Sequence, residues 1–276
     1  RDLPKQRSMK PDYRTLPPVD LPQMVHDLRA LGLKEGDTVL VHSAMSRVGN
    51  VQGGADAVVD AFLQVLGADG TLAVPTFPFR GSMLAYVKSD PYFVVEETPS
   101  LMGAITEATR IRPGALRSLE PTHPVSALGP LASFLVEDHL NAEGPCDIHS
   151  PLYRLTLVDG YVLLLGVDFR NCTLLHTAEE MARVPFIDFH TRYPLRGQYR
   201  GQPYTLRIYC HTAPLPANFG AIEPVLAERG LLKLGKVGQA SCRLARAKDI
   251  LDTALALLAG NPYFLRYPET PSVASA

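Results

Sequence analysis

The stretch Tyr161-Val162-Leu163-Leu164-Leu165-Gly166-Val167-Asp168-Phe169-Arg170-Asn171-Cys172-Thr173-Leu174-Leu175-His176-Thr177-Ala178-Glu179 decides how this chain is read. Its first seven residues are a short apolar run of the kind found in a buried strand. A polar loop follows, and then a helix expected over 173–183. At about 3.6 residues per turn, Thr173, His176 and Glu179 fall along one face, hydroxyl and carboxylate roughly one turn either side of the imidazole. A histidine held in that way is a general base that can be oriented and tuned near neutral pH. Strand, polar loop, then helix is where α/β enzymes place their chemistry. The plainer reading of the same residues is a helix start capped by Thr173, with a solvated His and Glu beyond it.

Working outward, Leu21, Met24, Val25, Leu28 and Leu31 predict an amphipathic helix over 21–31 that stops at Gly32. A buried strand is expected over 38–42, a helix over 55–66 ended by Gly67, and a strand over 71–74 closed by Pro75. This alternation argues for an α/β sheet with covering helices. The segment 76–99 is aromatic, proline-bearing and polar, and reads as a long functional loop or lid. Helix is expected over 100–110 and 131–139, with loops over 112–129 and 144–150. After the His176 helix come an outer strand over 204–211, a helix over 217–229 whose start lies near Pro224, a hairpin region over 230–238 and a helix over 244–259. No repeat or linker divides the chain. One α/β domain over 21–268 is expected, between tails 1–20 and 269–276.

The 276 residues are 46% hydrophobic and 20% charged, enough to bury a substantial core. A net charge of −1 gives no global reason to bind nucleic acid or an anionic membrane. No apolar run approaches the roughly 20 residues that span a bilayer. The N-terminal stretch is polar and proline-rich, unlike a signal peptide, and its start at Arg1 suggests that something precedes it in the native gene. Cys146, Cys172, Cys210 and Cys242 are far apart with no CxxC pair, as expected of free thiols. A soluble cytoplasmic protein follows as the expectation.

Other readings of the local patterns compete. His176-Thr177-Ala178-Glu179-Glu180 has a superficial likeness to a zinc-protease helix, but no HExxH is present and no metal is expected. Cys172, four residues before His176, could be a nucleophile, although an inert buried thiol is commoner. His42-Ser43-Ala44-Met45-Ser46 leads to Gly53-Gly54 before a helix, where small residues let a ligand approach the backbone. It is neither a Walker A loop nor GxGxxG. The loop carrying Arg112, Arg117, Ser118, Thr122 and His123 concentrates donors suited to phosphate, or else its arginines pair with nearby carboxylates.

Taken in order, several segments form a specific set: His42-Ser43-x-x-Ser46, Gly53-Gly54-Ala55, Gly70-Thr71-Leu72-x-x-Pro75-Thr76-Phe77, and Pro113-Gly114-x-x-Arg117-Ser118. Pro121-Thr122-His123, Ser150-Pro151-Leu152, Leu163-Leu164-Leu165-Gly166-Val167 and Thr173-x-x-His176-x-x-Glu179 continue it. The set resembles the aminoglycoside 3-N-acetyltransferase family, the antibiotic N-acetyltransferases that are distinct from the GNAT fold. It covers about 21–185, with a weaker match over 235–240. The resemblance implies one α/β unit with a mixed central β-sheet flanked by helices, acetyl-coenzyme A as co-substrate, and direct acetyl transfer to an amine. By resemblance, Ser43, Ser46, Gly54, Thr76, Arg117, Ser118 and Thr122 line the coenzyme A path. His176 deprotonates the amine, Glu179 orients it, and Thr173 helps to hold the oxyanion or the thioester carbonyl. His123 supports the site, and Asp168 and Arg170 lie toward the acceptor.

The departures bear on the acceptor. Family members that act on aminoglycosides commonly carry an acidic residue and an Asn where this chain has Arg170 and Cys172. The segment from His211 to Phe219 has no carboxylate, although a polycationic drug favours acidic walls. Asp147, Asp168, Glu96 and Glu97 are the carboxylates left to supply some. The expected function is acetyl-coenzyme A-dependent acetylation of the aminoglycoside 3-amino group. Its competitors are the same transfer to another amine, a metal-dependent hydrolase using His176 and Glu179, and a binding module that kept only the fold.

Overall fold

Asp20 starts the first helix: its carboxylate accepts the Gln23 N–H at 2.9 Å, and Gly32, at φ 115°, ends it. The computed structural model describes residues 15–212 and 215–267, so most of the expected N-terminal tail and all of the C-terminal one lie outside the described residues. The chain runs β1 (Pro18–Val19), α1 (Leu21–Leu31), β2 (Thr38–Ser43), α2 (Met45–Val48), β3 (Asn50–Val51), α3 (Gly54–Leu66) and β4 (Thr71–Pro75). Next come α4 (Met83–Lys88), β5 (Tyr92–Val94), α5 (Ala104–Arg110), β6 (Leu116–Arg117), β7 (Val125–Leu128), α6 (Ala132–Val136) and α7 (Pro151–Thr156). Strand β8 (Tyr161–Leu165) leads to α8 (Leu174–Met181), followed by β9 (Tyr193–Tyr199) and β10 (Gln202–Ile208). Helix α9 (Glu223–Glu228), β11 (Lys233–Val237), β12 (Ala240–Arg246) and α10 (Ala247–Gly260) complete the order.

Seven strands form one sheet in the order β11-β12-β8-β2-β4-β7-β6. The three central strands β8, β2 and β4 are parallel, and every other pairing in the sheet is antiparallel. The expected mixed sheet is therefore present. Alternation along each strand makes two cores. Val39, Val41, Leu72, Val74, Leu163 and Leu165 pack with the buried faces of α1 and α3. Leu40, Ala73, Val162 and Leu164 face the opposite way, toward the buried residues of α8 and α10. Helices thus cover both faces of the sheet, and no helix among the described residues is long and apolar enough to cross a membrane.

Several segments differ from the sequence expectation, three of them because a partner lies far along the chain. The loop expected over 76–99 contains α4, capped by Ser82, and β5. Strand β5 pairs with β9, and Met83 and Val87 of α4 pack on Leu195, Leu206 and Ile208 of a small second sheet. The loop expected over 112–129 contains β6 and β7, with β7 antiparallel to β4. Leu244, Ala245 and Arg246 belong to β12 because they pair with β8, so α10 begins only at Ala247. Pro224 does sit in the first turn of α9.

Candidate active site

The parallel strands β2 and β8 end side by side, with Ser43 opposite Leu165. The loops leaving the parallel strands therefore converge at one edge of the sheet, where open α/β folds hold ligands. Gly166 makes the turn after β8 at φ 70°, and a Cβ there would fall 2.5 Å from the Cβ of Arg47. Asp168 accepts the Arg170 N–H at 3.0 Å and starts a 3-10 turn over Phe169–Asn171. Phe169 and Cys172, both buried, anchor that turn in the core and set where α8 begins. Burial pushes the Cys172 thiol up to about 12, so it is an inert core group and not a nucleophile.

These loops enclose a cavity of about 200 Å³. Its walls include His42 and Ser43 from β2, Pro75 and Phe77 from the end of β4, and Asn171, Thr173 and His176. Met102, Val167 and Phe219 add apolar surface. Arg170 is the one charged side chain on its wall, and it also lines a neighbouring cavity of about 410 Å³ with Arg47, Arg243 and Asp168.

His176 and Glu179 meet as their spacing predicts, with Nδ1 at 3.0 Å from Glu179 Oε2. Donation from Nδ1–H leaves Nε2 with its lone pair as the uncommitted nitrogen. The carboxylate is fully buried and held by a residue that sequence reasoning missed. Arg266 donates through Nε to Glu179 Oε1 at 2.9 Å and through Nη2 to Oε2 at 2.5 Å. Burial works to raise the Glu179 pKa, but its bond to His176 and the Arg266 charge hold it below the usual value. His176 is pushed down to about 4, first by burial and then by His211, against the opposing pull of Glu179. It is a neutral imidazole at neutral pH, packed edge-on to Phe219 at 4.8 Å.

Thr173 occupies the N-cap position of α8, yet its side chain makes no capping hydrogen bond and it lines the cavity. The plain capping explanation for this residue is thereby removed. His123 is buried with its ring 6.4 Å from that of His176, and its Nδ1 lies 2.9 Å from the Thr122 hydroxyl. Among the described residues no three His, Cys, Asp or Glu side chains are grouped to hold a metal ion.

The sequence profile of aminoglycoside 3-N-acetyltransferases matches residues 40–259. Aminoglycoside N(3)-acetyltransferase VII of Streptomyces paromomycinus is 34% identical over 268 residues, which cover 87% of this chain and 91% of that protein. The chain belongs to the aminoglycoside 3-N-acetyltransferase family. The family's solved structures agree with this. A mutant of aminoglycoside acetyltransferase AAC(3)-IVa in complex with a gentamicin superposes with a TM-score of 0.80 at 28% identity, over 92% of this chain and 93% of that one. The AAC-IIIb binary complex with CoASH gives 0.78 at 25% identity, over 92% and 100%. As a member of the family the protein is an acyltransferase.

In this acetyltransferase the residues expected along the coenzyme path separate into three groups. Ser43 lines the cavity beside His176. Ser46, exposed on α2, and Gly54, at the start of α3, line neither of the two cavities. Thr76, Arg117, Ser118 and Thr122 are buried and bonded within the protein. Arg117 donates to the Thr76 hydroxyl at 3.0 Å, to the carbonyls of Val95 and Thr98, and to that of Thr76. The Ser118 hydroxyl meets His139 at 2.8 Å, and that of Thr122 donates to Glu120 at 2.8 Å. Arg112 follows the plainer reading and pairs with Asp60 at 2.9 Å. On the acceptor side, Asp168 is tied to Arg170 at 2.6 Å, and Asp147 accepts N–H groups of its own loop.

The buried histidines of this acetyltransferase make an acid-sensitive fold. Burial lowers His42, His139 and His176 to about 4. Their folded values lie below the unfolded one, so the stability they allow is complete above about pH 6.5 and is lost toward pH 4. Each subtracts about 2 kcal/mol between pH 7 and pH 5. Glu120, raised by burial to about 7, works in the opposite sense and returns about 2 kcal/mol. With a net loss of about 4 kcal/mol, thermal melts should show Tm falling by on the order of 10 °C between pH 7 and pH 5. Equal Tm at both pH values would mean that these imidazoles are not held neutral.

Proposed function

We propose that this protein transfers the acetyl group of acetyl-coenzyme A directly to the 3-amino group of aminoglycosides, with His176 as the general base. The observation that carries the reading is the buried chain of hydrogen bonds Arg266–Glu179–His176, which ends at a cavity wall. An ammonium has no lone pair with which to attack a thioester, so the amine reacts in its neutral form, having lost one proton to solvent, and a base must remove a further N–H proton as the carbon–nitrogen bond forms. His176 Nε2 takes that proton, and the Glu179 carboxylate balances the imidazolium. The proton then passes to the departing sulfur, so no acyl-enzyme is needed. Thr173, on the same wall, supports the developing oxyanion. The adjoining cavity, with Arg47 and Arg243, suits the phosphates of the coenzyme. The expected setting is the cytoplasm, which the four buried free cysteines support.

One observation favours a second acceptor class. The cavity beside His176 is walled by Phe77, Met102 and Phe219 and carries no carboxylate. An amine of lower positive charge, or one with an anionic group for Arg170, fits such walls. Thiol release from acetyl-coenzyme A, measured across aminoglycosides and simple amines, separates the two readings. Turnover of aminoglycosides with the acetyl group on the 3-amino nitrogen is expected; release only with monoamines or acidic amines would replace the acceptor assignment. Arg170→Asp removes a cation from the cavity rim and leaves the Asp168 carboxylate unpaired. The aminoglycoside KM is then expected to fall by about tenfold. An unchanged or higher KM would show that Arg170 does not oppose cationic acceptors.

A further inference from the structure

A second histidine–carboxylate pair lies against the first. His211, after β10, places Nε2 2.5 Å from Glu180 Oε1, and the two side chains are 8% and 1% exposed. Glu180 also accepts the Tyr209 hydroxyl at 2.7 Å and the Cys146 N–H at 3.0 Å. Glu179 and Glu180 are consecutive on α8, so they leave the helix about 100° apart and reach two different imidazoles. Those rings nevertheless meet, with centroids 4.4 Å apart and planes inclined at 38°. His211 Nδ1 is buried and has no partner among the described residues.

The two pairs are not equivalent. The charge of Glu179 is answered by Arg266, whereas the other partners of Glu180, the Tyr209 hydroxyl and the Cys146 amide, are neutral. His176 therefore faces a compensated carboxylate on its own helix, Arg266 from the C-terminal segment, and His123 with Glu120 from the loop before β7. It also faces His42 from β2 across the cavity, and His211 with Glu180. The ring of His123 is more distant than that of His211, at 6.4 Å. Two positive rings in contact repel, so a proton on one excludes a proton on the other. The contact with His211 is, after burial, the second cause that holds His176 below the ordinary imidazole value.

Given that His176 is the base, we propose that His211, held by Glu180, is a positioning residue for the reaction: it fixes the His176 ring by stacking and sets the pH below which His176 stops acting as a base. Phenylalanine at 211 keeps a ring against His176 but removes the charge, and glutamine keeps a donor for Glu180 without a titrating group. The test follows the His176 ring by NMR through a pH titration of the full chain. It compares wild type, His211→Phe and His211→Gln, with His176→Ala assigning the resonance, alongside the pH profile of kcat/KM. In both His211 variants the His176 midpoint and the acid limb of the profile should rise together, by about one pH unit. A midpoint left at the wild-type value in either folded variant overturns the proposal, whatever happens to kcat, since a packing role alone does not move it. Wild-type turnover in His176→Ala would overturn the base assignment instead, a result on which the NMR midpoint does not depend.

Discussion

His176→Ala should lower turnover by about 10³- to 10⁴-fold while coenzyme A still binds, because the variant removes the proton acceptor and leaves the arginine-lined cavity intact. The fold should survive, since Glu179 keeps both of its bonds to Arg266 and no buried charge loses its partner. Thiol-release kinetics and calorimetric titration with coenzyme A measure the two quantities separately. A drop in kcat with Kd for coenzyme A unchanged is the expected pattern. Near-normal turnover would remove His176 as the base, and loss of coenzyme binding would make it a binding residue.

Arg266→Met is the second substitution with a large effect. It leaves Glu179 fully buried with a negative charge that only a neutral imidazole contacts. Stripping one partner from a buried ion pair costs about 3–5 kcal/mol, which lowers Tm by roughly 10 °C in a chain of this size. Turnover should also fall in the protein that stays folded, because the carboxylate no longer holds the Nδ1–H of His176 in place. Adding Glu179→Gln to Arg266→Met removes the orphaned charge. The double variant should regain most of the lost stability and little of the activity, so melts and kinetics move apart. Recovery of both together would mean that the pair serves the fold alone.

The parts of this molecule that are local in sequence were legible in it. Leu21 to Leu31 showed its helix through apolar spacing and Gly32, and the seven-residue run from Tyr161 showed a strand buried by helices on both faces. His176 and Glu179, one turn apart on a helix, could be paired from spacing alone. Arg266 could not, because it lies 87 residues beyond Glu179 and nothing near it differs from an ordinary surface arginine. The His211–Glu180 pair was hidden for the same reason, with 31 residues between its members. Edge strands β5 and β6 are short, and β9, central in the small sheet, is polar on one face; all three exist through pairing, which a one-dimensional pattern does not record. Arg117 and Thr122 left two readings open in the sequence. Polar side chains suited to a ligand are equally suited to closing buried hydrogen bonds, and only burial tells the two apart.

Arg266 joins Glu179 late in synthesis of the chain. It is tied to the segment after β10: Asn218 N–H donates to Leu265 O at 2.8 Å, Arg266 Nη1 donates to Leu215 O at 3.3 Å, and Tyr267 N–H donates to Pro216 O at 3.0 Å. Every strand of the sheet and the whole His176 helix precede it. A nascent chain still threaded through the ribosome exit tunnel can therefore hold a complete sheet while Glu179 waits for its cation. A chain truncated just short of this arginine is therefore expected to keep the strands of its sheet and to lose turnover.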